Sequence, residues 1–307
     1  MDTHLDPRAA VVVGYDGSPG SELALDWACA HARLAHRPLE IFHATGASLR
    51  VAEPAASAPA TSEAGRRTAS RRLVRLEEAA GRIRDPSGGL EVRTVLHHGG
   101  ARSALLRASR DASVVVMGAT SQGAVESMVL GSVAQGVAKE ARCPVVIVRR
   151  SHASGVRSVL VGTDLGEHSA PAIAFAFRVA ALRSCPLTVL HCFWDIARAV
   201  GDVPPEDGGY DAERSTLAAA VRPHAELHPE VEVTLLLSRG FADRRLIQAT
   251  HDHDLVVIGH HKLPLLDAVV WGNVTPLVVR EAVGDVAVVP AASHPVAPTQ
   301  GDQGARR

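Results

Sequence analysis

The chain has 307 residues, 46% of them hydrophobic, which is enough for two domains of roughly 150 residues with one buried core each. Its formal net charge of -1 creates no overall field that would attract a polyanion, so we expect no nucleic-acid partner. Because no run of about 18 apolar residues occurs and the N-terminal residues lack the features of a secretion signal, we expect a cytoplasmic protein without a membrane partner.

The first half of the chain alternates short β-branched runs with segments of helical periodicity. The runs are continuous rather than interrupted by polar residues, which is typical of parallel strands buried on both faces. The first helix is predicted to begin with Ser18 as its N-cap and Pro19 in its first turn. Residues 46–65 are rich in Ala, Pro and Ser and are predicted to form a loop. The predicted strands are 11–14, 39–42, 92–96, 114–117 and 145–148.

The second half repeats the first. VVVGYDGS, which contains Asp16, corresponds to VLVGTDLG, which contains Asp164, at a shift of 148 residues. After the predicted loop the shift falls to 141, so that Gly118 corresponds to Gly259. The sequence therefore predicts two tandem, doubly wound α/β domains, each with a five-stranded parallel sheet between helices. The predicted domains are residues 1–150 and 151–290, followed by a disordered tail at 291–307.

The segments that follow the first and fourth strands form the candidate binding site of the first domain, because ligands of doubly wound sheets bind beyond the carboxyl ends of the strands. From Gly118 to Ser132 the sequence has the spacing G-x2-S-x9-G-S, and Ser132 is predicted to open a helix. The backbone N–H groups at such a helix start favour phosphate oxygens. A phosphate-binding segment without a lysine is therefore predicted here.

This segment, together with Asp16 at the end of the first strand, resembles the universal stress protein family, whose ATP-binding members carry G-x2-G-x9-G-[S/T] after the fourth strand. The resemblance covers nearly the whole chain and implies Rossmann-like domains of the adenine nucleotide alpha hydrolase type. It further implies ATP as the ligand, with Mg²⁺ only through its phosphates, and pairing of the two final strands as a pseudo-dimer; homo-oligomers stay open. By this resemblance the site residues are Asp16 at the ribose, Gly14 and Ala44 at the base, and Met117, Gly118, Thr120, Ser121, Gly131, Ser132 and Val133 around the phosphates.

Both sites depart from the family pattern. In the first domain Ser121 replaces the second glycine, where its side chain either crowds a phosphate or donates a hydrogen bond to it. In the second domain Lys262 stands at that position and Asn273 replaces the serine, which favours a vacant site; a phosphate contact from Lys262 is the alternative. This weaker second site would comprise Asp164, Gly259, Lys262, Gly272 and Asn273.

Three functions follow from these observations. The leading hypothesis is an ATP-binding regulatory protein of the stress response, which is not an enzyme and has no catalytic residues. Neither a G-x4-G-K-[ST] loop nor a G-x-G-x-x-G fingerprint occurs, so P-loop hydrolysis and dinucleotide redox chemistry lack their usual support. The alternatives are a slow ATPase or nucleotidyl-transfer enzyme, and a tandem interaction scaffold that binds no nucleotide.

Other conspicuous groups of residues are interpreted without a ligand. The histidines near the second site show no closed ligand geometry, so no metal site is predicted. The three tryptophans are interpreted as packing residues, and the four cysteines as reduced, buried thiols. These residues are His251, His253, His260 and His261; Trp27, Trp194 and Trp271; and Cys29, Cys143, Cys185 and Cys192.

Overall fold

A computed structural model shows alternating strands and helices along the chain. It describes residues 9–45, 63–84, 89–119, 130–150, 156–194, 200–204, 207–260 and 274–291, with the side chains of helix 63–83 from residue 73 onward. The elements of the first half are β1 Val11–Gly14, α1 Pro19–Leu34, β2 Leu39–Ala44, α2 Glu63–Ile83, β3 Val92–His97, α3 Ala101–Ala108, β4 Val114–Gly118, α4 Ser132–Glu140 and β5 Val145–Val148.

The second half repeats this order and adds one short strand. Two single 3₁₀ turns, Glu167–Ser169 and Gly208–Tyr210, precede its first two helices. Its elements are β6 Val159–Thr163, α5 Ala170–Arg183, β7 Leu187–Phe193, β8 Gly201–Asp202, α6 Asp211–Leu227, β9 Val233–Arg239, α7 Ala242–Asp252, β10 Leu255–His260, α8 Val274–Glu281 and β11 Asp285–Pro290.

The described strands all belong to one sheet, in the order β3-β2-β1-β4-β5-β11-β10-β6-β7-β9-β8. In register, Val11 lies beside Leu39 of β2 and Val114 of β4, and the second half repeats this arrangement around Val159. Apart from β8, which is antiparallel to β9, each half is parallel. The predicted α/β class with tandem, parallel, doubly wound domains is confirmed. The two-residue β8 was not predicted, because two residues carry no periodicity.

The continuous apolar runs are explained by helices on both faces of the sheet. Val11 and Val13 pack into the cluster that contains Leu25 of α1, whereas Val12 packs into the opposite cluster with Val137 of α4. Successive residues of β1 therefore point to different helix layers, and each is almost fully buried. Burying one such side chain stabilises the fold by about 1.5–3 kcal/mol, which is why no polar alternation appears.

The two halves meet where β5 runs antiparallel to β11, with Val146 opposite Ala287; this region is called the seam below. Asp285, which is fully buried, accepts the backbone N–H groups of Arg149 at 2.7 Å and Arg150 at 3.2 Å. The Arg149 guanidinium also donates to the carbonyl oxygens of Val279 and Gly284. The end of the first half is thereby bonded to the polypeptide that links α8 to β11.

Several expectations concern segments at the limits of the described residues. The predicted loop 46–65 was too long, since α2 begins at Glu63. Most of that loop, and the predicted tail beyond residue 291, lie outside the described residues. Within the part of the chain that the structure describes, no helix is long and apolar enough to cross a membrane.

Candidate functional site

A cleft opens in the first half beyond the carboxyl ends of β1, β2 and β4. The empty space within and above it amounts to approximately 650 Å³, which includes open solvent. Its lining combines a group of apolar side chains with a few polar residues at the starts of α1 and α4. The lining residues are Gly14, Tyr15, Asp16, Ser21, Phe42, Ala44, Ala101, Leu105, Met117, Gly118, Ala119, Gly131, Ser132, Val133 and Ala134.

The turn after β1 holds Asp16 at the edge of the cleft. Asp16 Oδ1 accepts the backbone N–H of Ser18 at 2.9 Å, and Gly17 adopts a φ of 77°, a conformation that suits glycine. Ser18 then caps α1, because its Oγ accepts the N–H of Ser21 at 3.2 Å. One carboxylate oxygen of Asp16 is thus fixed by the turn that carries it.

Gly118 lets the end of β4 approach the start of α1. A Cβ atom at this position would lie 2.5 Å from both the carbonyl carbon and the oxygen of Gly20. No side chain fits into that contact without a shift of the backbone, so the glycine is required by close approach. The contact also fixes one wall of the cleft, which Gly118 lines.

The amino-terminal end of α4 points its backbone donors at the cleft. The N-cap is Gly131, which has no side chain to accept from the first turn. The first helical bond at this end runs from Gln135 N to Gly131 O at 3.0 Å, so the N–H groups of Ser132, Val133 and Ala134 precede the bonded ladder. N–H groups that lie outside the helical ladder and the helix dipole together favour an anion at this position.

The charged groups of the cleft are few. Among the described residues that line it, Asp16 is the one carboxylate, and none is lysine or arginine. Tyr15 contributes its backbone, because its hydroxyl donates to Glu22 Oε1 at 2.6 Å, and Glu22 in turn pairs with Arg82. Burial, followed by the Glu22 carboxylate, raises the pKa of Tyr15, so its phenol stays neutral.

The structure brings most of the predicted site residues of the first domain together. Thr120 and Ser121 lie outside the described residues, and the other eight all line the cleft: Gly14, Asp16, Ala44, Met117, Gly118, Gly131, Ser132 and Val133. Sequence reasoning missed Ser21, Phe42 and Leu105, which also line it. Phe42 carried a usable signal, since it lies two residues before Ala44 and residues at this spacing share one face of a strand.

The corresponding region of the second half differs in its local contacts. Asp164 Oδ1 accepts the N–H of Gly166 at 2.8 Å and also the hydroxyl of Ser169, in the 3₁₀ turn that precedes α5. A Cβ at Gly259 would lie 3.7 Å from the nearest atom, the oxygen of His168, so the close approach seen at Gly118 is absent here. Lys262, Gly272 and Asn273 lie outside the described residues.

The remaining residues of interest occupy ordinary positions. No group of three metal-ligating side chains occurs among the described residues, and His261 lies beyond them. Burial raises the pKa values of Cys143 and Cys192 to about 12, so these thiols are protonated at neutral pH. Trp27 is buried, as expected of a packing residue, whereas Trp194 is 55% exposed and packs against Phe241; Trp271 lies outside the described residues.

Comparisons with known proteins agree along almost the whole length of the chain. The profile of the universal stress protein family matches twice, at residues 8–149 and 155–290. A universal stress protein of Mycobacterium tuberculosis is 30% identical over 259 residues, which cover 81% of this chain and 85% of that protein. Another, from Mycolicibacterium smegmatis, is 29% identical over 287 residues, covering 91% and 96% of the two chains.

The fold is shared with a solved structure. The crystal structure of a universal stress protein from Archaeoglobus fulgidus superimposes with a TM-score of 0.68 and covers 94% of this chain and 98% of its own, at 17% identity. Two matches of the family profile, most of the chain aligned to relatives and the shared fold all agree. The chain therefore belongs to the universal stress protein family and carries two tandem domains of it.

Proposed function

We propose that the first domain binds an adenine nucleotide, ATP, and that the protein is a regulatory nucleotide sensor rather than a fast enzyme. The observation that carries this proposal is the cleft, whose lining combines the carboxylate of Asp16, the first residues of α4 and a set of apolar side chains. Such a combination suits a ligand with a flat apolar part, hydroxyl groups and phosphates.

Each part of the nucleotide has a chemically suitable partner. Phe42, Leu105 and Met117 offer an apolar surface for the base, and Ala44 leaves space at its edge. Asp16 offers a carboxylate oxygen to the ribose hydroxyls. The phosphates would lie at Ser132 and Val133, where backbone N–H groups supply direct hydrogen bonds and the Ser132 hydroxyl can add another.

The small number of charged groups in the cleft favours binding of the nucleotide over its rapid turnover. Fast phosphoryl transfer uses cationic side chains or metal ions to stabilise charge, and a positioned base or water. The described lining of the cleft contains no lysine or arginine, and its one carboxylate is engaged with the turn at Ser18. Mg²⁺ would be held by the nucleotide phosphates. Slow hydrolysis is the second candidate function: the site is compatible with ATP turnover far slower than that of ordinary ATPases.

A response to the nucleotide requires that ATP binds two conformations of the protein with different affinity. The natural place for this difference is α4, because its amino end faces the cleft and its carboxyl end leads into β5 at the seam. The second domain is proposed to be vacant, because Lys262 and Asn273 depart from the family pattern and Asp164 Oδ1 accepts the Ser169 hydroxyl in addition to a backbone N–H. In this cytoplasmic protein the first domain would then bind the nucleotide, and the second would bind none.

The proposal is tested by placing negative charge where the phosphates should lie. In Ser132→Glu and Gly131→Glu, the new carboxylate would meet the phosphate groups at the start of α4. We expect the affinity for ATP, measured by isothermal titration in Mg²⁺, to fall at least 100-fold, because both repulsion and steric exclusion oppose binding. Circular dichroism and the thermal midpoint should stay near those of the parent protein.

The matched control is Ser103→Glu. Ser103 is an exposed serine in the first turn of the neighbouring helix α3 and does not line the cleft. The control adds the same charge at a similar helix position and should leave ATP affinity within twofold. Unchanged affinity in both glutamate variants of α4 would place the nucleotide elsewhere and remove the basis of the proposal.

A further inference from the structure

A second group of polar side chains is buried between the domains, away from the cleft. Trp27 and His31, one turn apart on α1, stack with ring centroids 5.0 Å apart. Arg183, the last residue of α5, places its guanidinium carbon 4.8 Å from the centroid of the Trp27 ring. The group therefore combines side chains from both domains, and it is called the interdomain donor cluster below.

Several nitrogen atoms of this cluster have no hydrogen-bond partner among the described residues. They are Trp27 Nε1, His31 Nδ1, and Nε and Nη2 of Arg183, and all are inaccessible to solvent. Because a neutral imidazole has one donor and one acceptor nitrogen, His31 Nδ1 donates in one of its two tautomers. Trp27 and His31 are only 3% and 6% exposed. A buried polar group without a partner costs about 1–3 kcal/mol, and more when it is charged, so several together at one place require compensation.

Stacking compensates only part of that cost. A guanidinium over an indole ring is attracted through its face, by the negative potential above the ring. The N–H bonds of the guanidinium lie in its plane and point away from this contact. The stack with Trp27 therefore leaves the N–H edge of Arg183 able to bind an acceptor, and the same applies to the indole N–H in the plane of its own ring.

The local charge is positive. Burial, and after it the charges of Arg183, Arg37 and Arg178, lower the pKa of His31 to about 3, so its ring is neutral at physiological pH. Asp285 attracts Arg183 electrostatically, yet it accepts hydrogen bonds from the backbone of Arg149 and Arg150. Its carboxylate gives no hydrogen bond to the buried nitrogens of Arg183. Excess positive charge with unused N–H donors is the environment that an anion requires.

We propose that the interdomain donor cluster binds a monovalent inorganic anion of the size of chloride. A single-atom anion can accept hydrogen bonds from several N–H donors at once and needs less space than a phosphate group. Its charge would balance Arg183, and its contacts would join α1 to α5. The anion would therefore stabilise the pairing of the two domains.

The test uses Trp27 as a reporter. The chain has three tryptophans, so the double variant Trp194→Phe/Trp271→Phe leaves the indole of Trp27 as the single one. Its fluorescence is titrated with sodium chloride while sodium gluconate, whose anion is too large, keeps the ionic strength constant. We expect a saturable change in emission with chloride alone, and a thermal midpoint that rises by about 2–4 °C at saturating chloride.

Two variants locate the effect. Arg183→Leu removes the charged donor, and Trp27→Phe keeps an aromatic ring but removes the indole N–H; the thermal midpoint of each should no longer depend on chloride. Arg222→Leu, on the exposed face of α6, is the matched control and should keep the full dependence. Ser132→Glu should keep it as well, since it alters the cleft and not the interdomain donor cluster.

Three results would overturn the proposal. Chloride and gluconate would act alike on Trp27 emission, or both Arg183→Leu and Trp27→Phe would retain the chloride dependence. The third result would be loss of the chloride dependence in Ser132→Glu, which would place the anion at the start of α4 instead. Because this last variant is also the test of nucleotide binding, failure of the anion site and failure of the nucleotide site give different patterns.

Discussion

At the scale of single residues, the two domains are distinguished by how closely backbone segments approach each other. Gly118 and Gly259 occupy the same position in the repeat, at or near the end of the fourth strand. A Cβ at Gly118 would collide with the backbone of Gly20, whereas one at Gly259 would make only ordinary contacts, the nearest at 3.7 Å. The sequence shows the same glycine in both places, but only the first is required by packing.

This difference gives a paired prediction. In Gly118→Ala the new methyl group must push β4 and α1 apart, and we expect a loss of about 1–3 kcal/mol in the free energy of unfolding together with weaker ATP binding. In Gly259→Ala the methyl group has space, so the change in stability should stay within about 0.5 kcal/mol. Urea denaturation of both variants measures this. Equal losses would contradict the packing argument.

His31 provides a prediction about pH. Its folded-state pKa of about 3 lies below the ordinary value of 6.5, so between these two values the unfolded chain binds more protons than the folded one. The free energy of unfolding should therefore fall as the pH falls through this window, by up to about 5 kcal/mol from this residue. His31→Gln should show a shallower pH dependence of urea denaturation. His251→Gln, at an exposed position of α7, should match the parent protein, and parallel curves for all three would contradict the role given to His31.

At the scale of secondary-structure elements, the seam depends on contacts that are not symmetric. Asp285 lies at the start of β11, and its repeat position in the first half is Pro144, which has no charge. The carboxylate of Asp285 holds the backbone at Arg149 and Arg150, while the Arg149 side chain holds the end of α8. Asp285 of the second domain thus binds the end of the first domain, and Pro144, at the same repeat position of the first domain, cannot make the equivalent contact.

Removing this carboxylate should weaken the seam. In Asp285→Ala the backbone N–H groups of two partly buried residues lose their buried acceptor and Arg149 loses its nearby charge, so we expect a loss of about 3 kcal/mol in the free energy of unfolding. Asp254→Ala is the matched control, because Asp254 accepts Arg157 N at 2.8 Å in a partly exposed place; about 1 kcal/mol is expected there. A cost at Asp285 no larger than that at Asp254 would show that the seam does not depend on the buried carboxylate.

The elements were predictable from the sequence because their signals are local. Continuous β-branched runs marked the parallel strands, Ser18 and Pro19 marked the start of α1, and the repeat shift aligned the two halves. The contacts of Arg149 were not predictable, since its partners lie more than a hundred residues away and no local pattern encodes them. For the same reason Leu105 was missed at the cleft: its place depends on how α3 packs against the sheet.

At the scale of the whole molecule, the chain is a duplicated domain whose copies have diverged. The sheet is continuous through the antiparallel pairing of β5 with β11, so α4, whose first turn faces the cleft, continues into the strand that joins the domains. The second copy keeps the strand order but holds Asp164 in local hydrogen bonds. We expect this molecule to use one copy for a ligand and the other as a structural partner through which occupancy is transmitted.

The most direct test of this account is the stoichiometry of nucleotide binding by the full chain. ATP, ADP and AMP are titrated calorimetrically in Mg²⁺, and the purified protein is analysed by mass spectrometry for nucleotide that it retains. We expect one ATP per chain, lost in Ser132→Glu and kept in Ser103→Glu. Two nucleotides per chain would contradict the vacant second domain, and none would contradict nucleotide sensing altogether and leave a tandem interaction scaffold in its place.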